Sequence, residues 1–276
     1  MHLEDELGDI LQKARDGKAW SRDDLVRAAD IAADDIQRIE SYDLTPSDSD
    51  VLKLAKALDL DGSALINIAQ EKWLPKEPAS DPDFDLVCMN VFMGEYPVNC
   101  YLLRCKATGE TAVVDTGANP KTIIDKAREM GVRPSMILLT HAHPDHAGGL
   151  GELDSAFDCP TCIDHKEPKP KGSRNFKIVK DGDEFTLGKL RIRCIETPGH
   201  TSGGVSYLIN QTLLSGDVIF AGSMGRANSS WSELFNSITQ KVLCLPDATG
   251  IFPGHGPATT VKQEKEHNPF FIGHAK

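Results

Sequence analysis

The sequence predicts an α/β (α+β) protein whose sheets are preceded by a small all-α domain of five helices. Three observations carry that prediction. Apolar residues recur at helical spacing through residues 1–74, three prolines fall between Trp73 and Pro82, and short β-type runs separated by Gly and Asp begin after residue 83. The expected boundaries are an all-α domain at 1–74, a Pro-rich linker at 75–83 and a mixed α/β domain at 84–276.

In the first segment the apolar positions are Leu3, Leu7, Ile10 and Leu11; Leu25, Val26 and Ala29; Ile36 and Ile39; Val51, Leu54, Ala55 and Leu58; and Leu65, Ile68 and Ala69. Each set marks one buried helical face. Ser21 before Arg22-Asp23-Asp24 and Ser47 before Asp48-Ser49-Asp50 can cap helix starts, with acid in the first turn. Pro75, Pro78 and Pro82 then exclude both a helix and a central strand.

Beyond residue 83 the β-type runs are Phe84 to Phe92, Val98 to Leu103, Thr111 to Val114, Met136 to Thr140, Phe176 to Val179, Leu190 to Ile195, Gly204 to Ile209 and Thr212 to Leu214. Helical patterns intervene at about 120–130 and 231–243. Strands mixed with occasional helices give α/β or α+β.

Composition narrows the class further. The 276 residues are 40% hydrophobic and 26% charged, which excludes a largely disordered or fibrous chain. No run approaches the roughly 20 apolar residues of a membrane span. The start, Met1-His2-Leu3-Glu4-Asp5-Glu6, lacks the basic and apolar regions of a secretory signal, so a cytoplasmic location is expected. Seven cysteines, an odd number in a chain this large, argue for reduced thiols.

The chemistry is concentrated in Thr140-His141-Ala142-His143-Pro144-Asp145-His146-Ala147-Gly148-Gly149, which directly follows the apolar run from Met136. Three imidazoles and a carboxylate in one turn suit zinc, iron or manganese and are poorly explained as packing. Pro144 and the glycine pair are expected to keep a helix from starting before His146. His200 in Pro198-Gly199-His200-Thr201, Asp217 in Ser215-Gly216-Asp217 and His255 in Pro253-Gly254-His255-Gly256 each follow a strand-like run beside glycine. These seven side chains can form two adjacent sites. One uses His141, His143 and His200, the other Asp145, His146 and His255, with Asp217 offering an oxygen to each.

On those residues, the chain from Asp83 onward resembles a metallo-β-lactamase-fold hydrolase. The resemblance implies a four-layer αβ/βα sandwich with two divalent metal ions, zinc foremost and iron or manganese as alternatives, at one edge between the sheets. Asp115 in Asp115-Thr116-Gly117 matches the family's early loop and is expected to buttress the histidine loop rather than ligate. Within the superfamily, Tyr96 to Tyr101, Pro198 to Gly203, Gly222-Ser223-Met224-Gly225-Arg226 and Gly254 to Thr260 through Asn268-Pro269-Phe270 look like the glyoxalase II group. Where that group usually has Thr-Asp or Ser-Asp after Gly-Arg, this chain has Ala227-Asn228.

The implied activity is hydrolysis of a thioester such as S-lactoylglutathione by hydroxide from a water shared between the metals, whose pKa falls from about 15.7 toward neutrality. Asp145 and Asp217 are the expected catalytic carboxylates, and Arg226 a candidate for holding a substrate carboxylate. The same group also contains persulfide dioxygenases, for which mononuclear Fe(II) would sit on His141, His200 and Asp217.

A third alternative is a metal-binding transcriptional regulator, because residues 1 to about 72 look like a Cro/repressor-type helix-turn-helix domain in Ser21 to Ala29, Asp34 to Glu40 and Pro46 to Leu58. Charge argues against DNA as a partner. Residues 1–75 carry nine Lys/Arg against seventeen Asp/Glu, and the expected recognition helix begins Ala32-Ala33-Asp34-Asp35, leaving Gln37 and Arg38 as its base-reading residues. A protein-interaction or dimerisation module is expected instead, hence a homodimer.

Remaining features have bland readings. Cys159-Pro160-Thr161-Cys162 lacks a second pair and is expected to be packing, as is Phe270-Phe271. Lys166, Lys169, Lys171 and Arg174 form a basic loop that could steer an anionic substrate, although a solvated loop is the usual outcome. His2, His165, His267 and His274 are expected to be surface or core residues.

Overall fold

A computed structural model describes residues 2–274. Five helices come first: α1 (Leu7–Gly17), α2 (Arg22–Ala29), α3 (Ala33–Glu40), α4 (Asp48–Leu58) and α5 (Gly62–Ala69). Both predicted serine caps form, with Ser21 accepting from the Asp24 amide and Ser47 from the Asp50 amide.

The next elements are β1 (Phe84–Met93), β2 (Tyr96–Cys105), β3 (Thr111–Val114), α6 (Lys121–Glu129), β4 (Met136–Leu138), α7 (Pro144–Ala147), α8 (Leu150–Phe157), β5 (Thr161–Asp164) and β6 (Phe176–Val179). The six strands form one sheet in sequential order, antiparallel through β3 and parallel thereafter. The second half comprises β7 (Glu184–Leu187), β8 (Leu190–Glu196), β9 (Val205–Ile209), β10 (Thr212–Gly216), a small hairpin of β11 (Ile219–Phe220) and β12 (Ser223–Met224), α9 (Trp231–Ser237), β13 (Gly250–Pro253), β14 (Thr259–Thr260) and α10 (Val261–His267). Its sheet runs β14-β13-β10-β9-β8-β7.

Three apolar clusters explain the layering. Between the sheets, Tyr101, Leu103, Val114 and Leu138 meet Ile192, Tyr207, Ile209 and Leu214. Outside the first sheet, Val98, Leu102, Val113 and Ile137 are covered by Ile123 and Ala127 of α6 and Leu150 and Leu153 of α8. Outside the second, Ile195, Leu213 and Ile251 are covered by Leu234, Ile238, Val242 and Val261. The result is the four-layer αβ/βα sandwich preceded by five helices.

That third cluster continues into the amino-terminal helices, where it includes Ile10, Leu11, Leu25, Ile36, Leu54 and Leu65. The helices are therefore packed on the sandwich. Lys13 Nζ donates to the Met224 carbonyl (2.7 Å), and the Asp61 amide donates to the Pro269 carbonyl (2.8 Å). At Gly17 an added Cβ would fall 2.3 Å from the Trp231 ring. No helix among the described residues is long and apolar enough to cross a membrane.

Candidate metal centre

The histidine string lies where β4 ends. One expectation fails: a short helix, α7, does begin before His146, with Pro144 in its first turn and His143 at its cap. Proline costs nothing at a helix start, where its missing N–H would have no partner and its φ is already helical. The turn carries His146 inward while Asp145 stays half-buried.

His200 arrives from the loop after β8, Asp217 from the end of β10 and His255 from the end of β13. All seven predicted side chains converge, in the two groups expected from the sequence: His141, His143 and His200, and Asp145, His146, Asp217 and His255. His143 Nδ1 lies 3.1 Å from His141 Nε2 and 3.0 Å from His200 Nε2. In the second group, His146 Nε2 is 3.2 Å from Asp217 Oδ1, and His255 Nε2 is 3.4 Å from both Asp217 Oδ2 and Asp145 Oδ2. Asp217 Oδ2 also stands 3.6 Å from His200 Nε2, so this carboxylate lies between the groups.

These separations suit a cation. Ligand atoms about 2.0–2.1 Å from a tetrahedral centre are roughly 3.3 Å apart. His146 Nε2 and Asp217 Oδ1 are buried without a hydrogen-bond partner, a costly state unless an ion completes it. The backbone makes room as well: at Gly254 a Cβ would fall 2.2 Å from Asp217 Oδ1.

The opposite ring nitrogens are held. His146 Nδ1 meets Asp115 Oδ2 (2.8 Å), His200 Nδ1 the Arg226 carbonyl (2.8 Å), and His255 Nδ1 the Pro97 carbonyl (2.9 Å). Asp115 also accepts from the Thr140 amide and hydroxyl, each at 2.8 Å, and that hydroxyl lies 3.1 Å from His141 Nδ1. With the outer nitrogen so held, Nε2 of these rings is the atom directed inward, the one that would offer its lone pair to an ion.

The two groups differ electrostatically. Burial and the neighbouring His146 hold His141 well below the usual imidazole range, and burial also lowers His200. In the carboxylate-rich group, burial is outweighed: Asp217 and Asp115 raise His146, and hydrogen bonds to Asp145 and Asp217 push His255 up to about 10. Burial of Asp217 is likewise outweighed by His146 and His255, which hold its carboxyl well below the ordinary value.

Several braces have no signature in the sequence. Glu167 accepts from the Ala142 amide (2.8 Å) and the Gly203 amide (3.1 Å), tying the two histidine loops together. Asn99 donates to the Pro253 and Gly256 carbonyls on either side of His255. Glu4 brings Oε1 to 3.9 Å from His255 Nδ1, its backbone seated on Gly256, whose φ of +70° and lack of a Cβ permit that approach. Contacts separated by dozens of residues leave no local pattern to read.

Other candidates lie elsewhere. The Arg226 guanidinium pairs with Asp16 of α1 at 3.4 Å, so only its carbonyl touches the histidines. Cys159 and Cys162 are buried in different apolar clusters, and burial pushes both thiols up to about 11. In the basic loop, Lys166 lies near Glu196 and Arg174 near Asp154, while Lys169 lies over the Phe176 ring. Among the described residues His2, His165, His267 and His274 join neither ligand group.

This fold and ligand arrangement define a class. Residues 93–255 match the metallo-beta-lactamase superfamily, and the chain belongs to it. Over 203 residues the chain is 32% identical to the probable metallo-hydrolase YqgX of Bacillus subtilis (strain 168), spanning 66% of this chain and 95% of that one. The crystal structure of ETHE1 from Myxococcus xanthus is similar with a TM-score of 0.61 at 27% identity, covering 68% of this chain and 85% of that one. A crystal structure of TTHA1623 in a di-iron-bound form is similar with a TM-score of 0.58 at 30% identity, covering 66% and 99%. The protein is a metal-dependent hydrolase of this superfamily.

Proposed function

We propose that the protein is a thioester hydrolase of the glyoxalase II-like type, acting on a substrate such as S-lactoylglutathione. The observation that carries this reading is the pair of ligand groups sharing Asp217. His141, His143 and His200 would hold one divalent ion and Asp145, His146 and His255 the other, with zinc foremost and iron or manganese compatible with the same donors. Two such ions, when bound, supply Lewis acidity that brings a shared water's pKa toward neutrality and polarises a carbonyl oxygen.

The chain's own residues do the rest. Asp217, fixed between the groups, sets their spacing. Asp145 is more exposed, at 21% of its side chain, and can accept a hydrogen bond from the attacking water and orient it. Asp115 fixes the tautomer of His146.

The likeness to ETHE1 is compatible with one second reading, a mononuclear Fe(II) persulfide dioxygenase on His141, His200 and Asp217. Quantifying Zn, Fe and Mn in protein purified without added metal, beside assays of S-lactoylglutathione hydrolysis and of oxygen uptake with glutathione persulfide, tests both. Two ions per chain with thioester cleavage are expected. One iron with oxygen uptake would refute the hydrolase reading.

For the helix-turn-helix-like segment we propose a role within the enzyme rather than as a DNA-reading regulator. Seven of its nine cations face acids of the same segment: Lys13, Arg15, Lys18, Arg22, Arg27, Arg38 and Lys53. That leaves little charge for phosphates. Retention of duplex DNA at about 0.15 M salt would overturn this. A homodimer is a further proposal, checked by the mass in light scattering.

A further inference from the structure

Beside the metal centre lies a cavity of about 490 Å³, within the usual size range of small-molecule sites. Leu3 and Pro75 close it from the amino-terminal side, Phe92 and Tyr101 from the β1–β2 hairpin, and Phe252 and Pro257 from the strand and loop around His255. Most uncharged polar side-chain atoms in its lining already have hydrogen-bond partners. Asn90 Nδ2 donates to Asn99 Oδ1 (2.7 Å), Asn99 Nδ2 to the Pro253 and Gly256 carbonyls (3.0 and 2.8 Å), and the Tyr101 hydroxyl to the Pro253 carbonyl (2.6 Å). A ligand would therefore meet a mostly apolar surface.

The cavity lies next to one ligand, on the outer, Nδ1 side of His255. Its lining includes Pro97, whose carbonyl meets His255 Nδ1, and Gly256, the residue after that histidine. The lining also holds Glu4, with Oε1 3.9 Å from His255 Nδ1, and Glu77. These two acids, Glu4 beside His255 and the exposed Glu77 at the rim, disfavour an anionic occupant. The remaining titratable lining residues are His2, Cys88 and Tyr101.

We propose that this cavity is the acyl-binding subsite, and that the substrates are thioesters bearing an uncharged, apolar acyl group. The inference rests on the thioester reading above and narrows it. Buried methylenes gain roughly 0.8 kcal/mol each, which corresponds to about fourfold in kcat/KM per methylene that enters.

The test compares acetyl and octanoyl thioesters of N-acetylcysteamine on the metal-loaded full chain, with Ala258→Phe and Cys88→Phe as cavity-filling variants on two different segments. Fluorescence of N-phenyl-1-naphthylamine measures occupancy independently of turnover. We expect the octanoyl ester to exceed the acetyl ester by at least about 100-fold in kcat/KM, and each variant to cut that ratio and the probe affinity at least tenfold. Equal kcat/KM for both esters, or probe binding unaltered by both substitutions, overturns the subsite and leaves the hydrolase standing. Cleavage of neither ester, with probe binding retained and lost on filling, overturns the thioester reading and leaves the apolar site.

Discussion

Replacing Asp115 by Asn removes no volume but reverses one hydrogen-bonding atom. In the native protein Oδ1 accepts the Thr140 amide while Oδ2 accepts the Thr140 hydroxyl and faces His146 Nδ1. The Thr140 amide can only donate, so the new carbonyl must take the Oδ1 place and the NH2 must face His146. The hydroxyl can turn to accept; the imidazole can satisfy an incoming donor only by moving its proton to Nε2, the atom aimed at Asp217. Both His146 and Asp115 are buried, so water cannot repair the mismatch.

The loss is one charge-assisted hydrogen bond plus an unfavourable tautomer, roughly 1.5–3 kcal/mol. That corresponds to about 10- to 100-fold in metal affinity, the usual effect of removing such a support. Chelator competition at pH 7 on Asp115→Asn should show the carboxylate-rich group weakened by that factor, with a smaller loss in the three-histidine group, which feels the change only through the Thr140 hydroxyl at His141 Nδ1. Two ions bound within twofold of native affinity would refute the tautomer argument.

Other outcomes follow from the same contacts. His255→Ala should retain one ion per chain instead of two by elemental analysis. Lys13→Ala strands Asp5 in a buried site and should lower urea-unfolding stability by roughly 3–5 kcal/mol; a change below about 1 kcal/mol would show the pair to be idle. Burial lifts the Glu264 carboxyl to about 7 despite donors from Asn268, Thr259 and the Gly222 amide. Its folded pKa exceeds the unfolded one, so its stabilising contribution is full below about pH 4.5 and lost as pH rises through 7, by about 3 kcal/mol. Glu264→Gln, whose amide can donate to Thr259 while its carbonyl accepts from Gly222 and Asn268, should flatten melting temperature between pH 5 and 8.

The ligands of the first loop are legible because their chemistry is local: three imidazoles and a carboxylate crowded into six residues make sense as a cation cage and not as core or surface. His200, Asp217 and His255 stand out only through their repeated place after a strand beside glycine. Alternating or apolar runs reveal the longer strands. Thr161–Asp164 gives no such signal because it is buried on both faces and too short to show a period. Leu150–Phe157 is equally silent because Gly149, which caps it, has no side chain to announce a start. The pattern at 231–243, one helix by its spacing, becomes a wider π turn after Ser237 that ends at Val242. The five amino-terminal helices are visible as helices, but an apolar stripe looks the same whether it closes on its own domain or on a neighbour's sheet.

That shared closure bears on how the enzyme can be cut down. Severing the chain in the proline-rich stretch would strip cover from the layer outside the second sheet, baring the ring of Trp231 that now rests on Gly17 and the hairpin around Gly222 and Met224, which Ile68, Trp73 and Lys13 now contact. Such a fragment would be sticky before it was inactive. What reads in the sequence as a detachable appendage is, in three dimensions, part of the weatherproofing of the catalytic half.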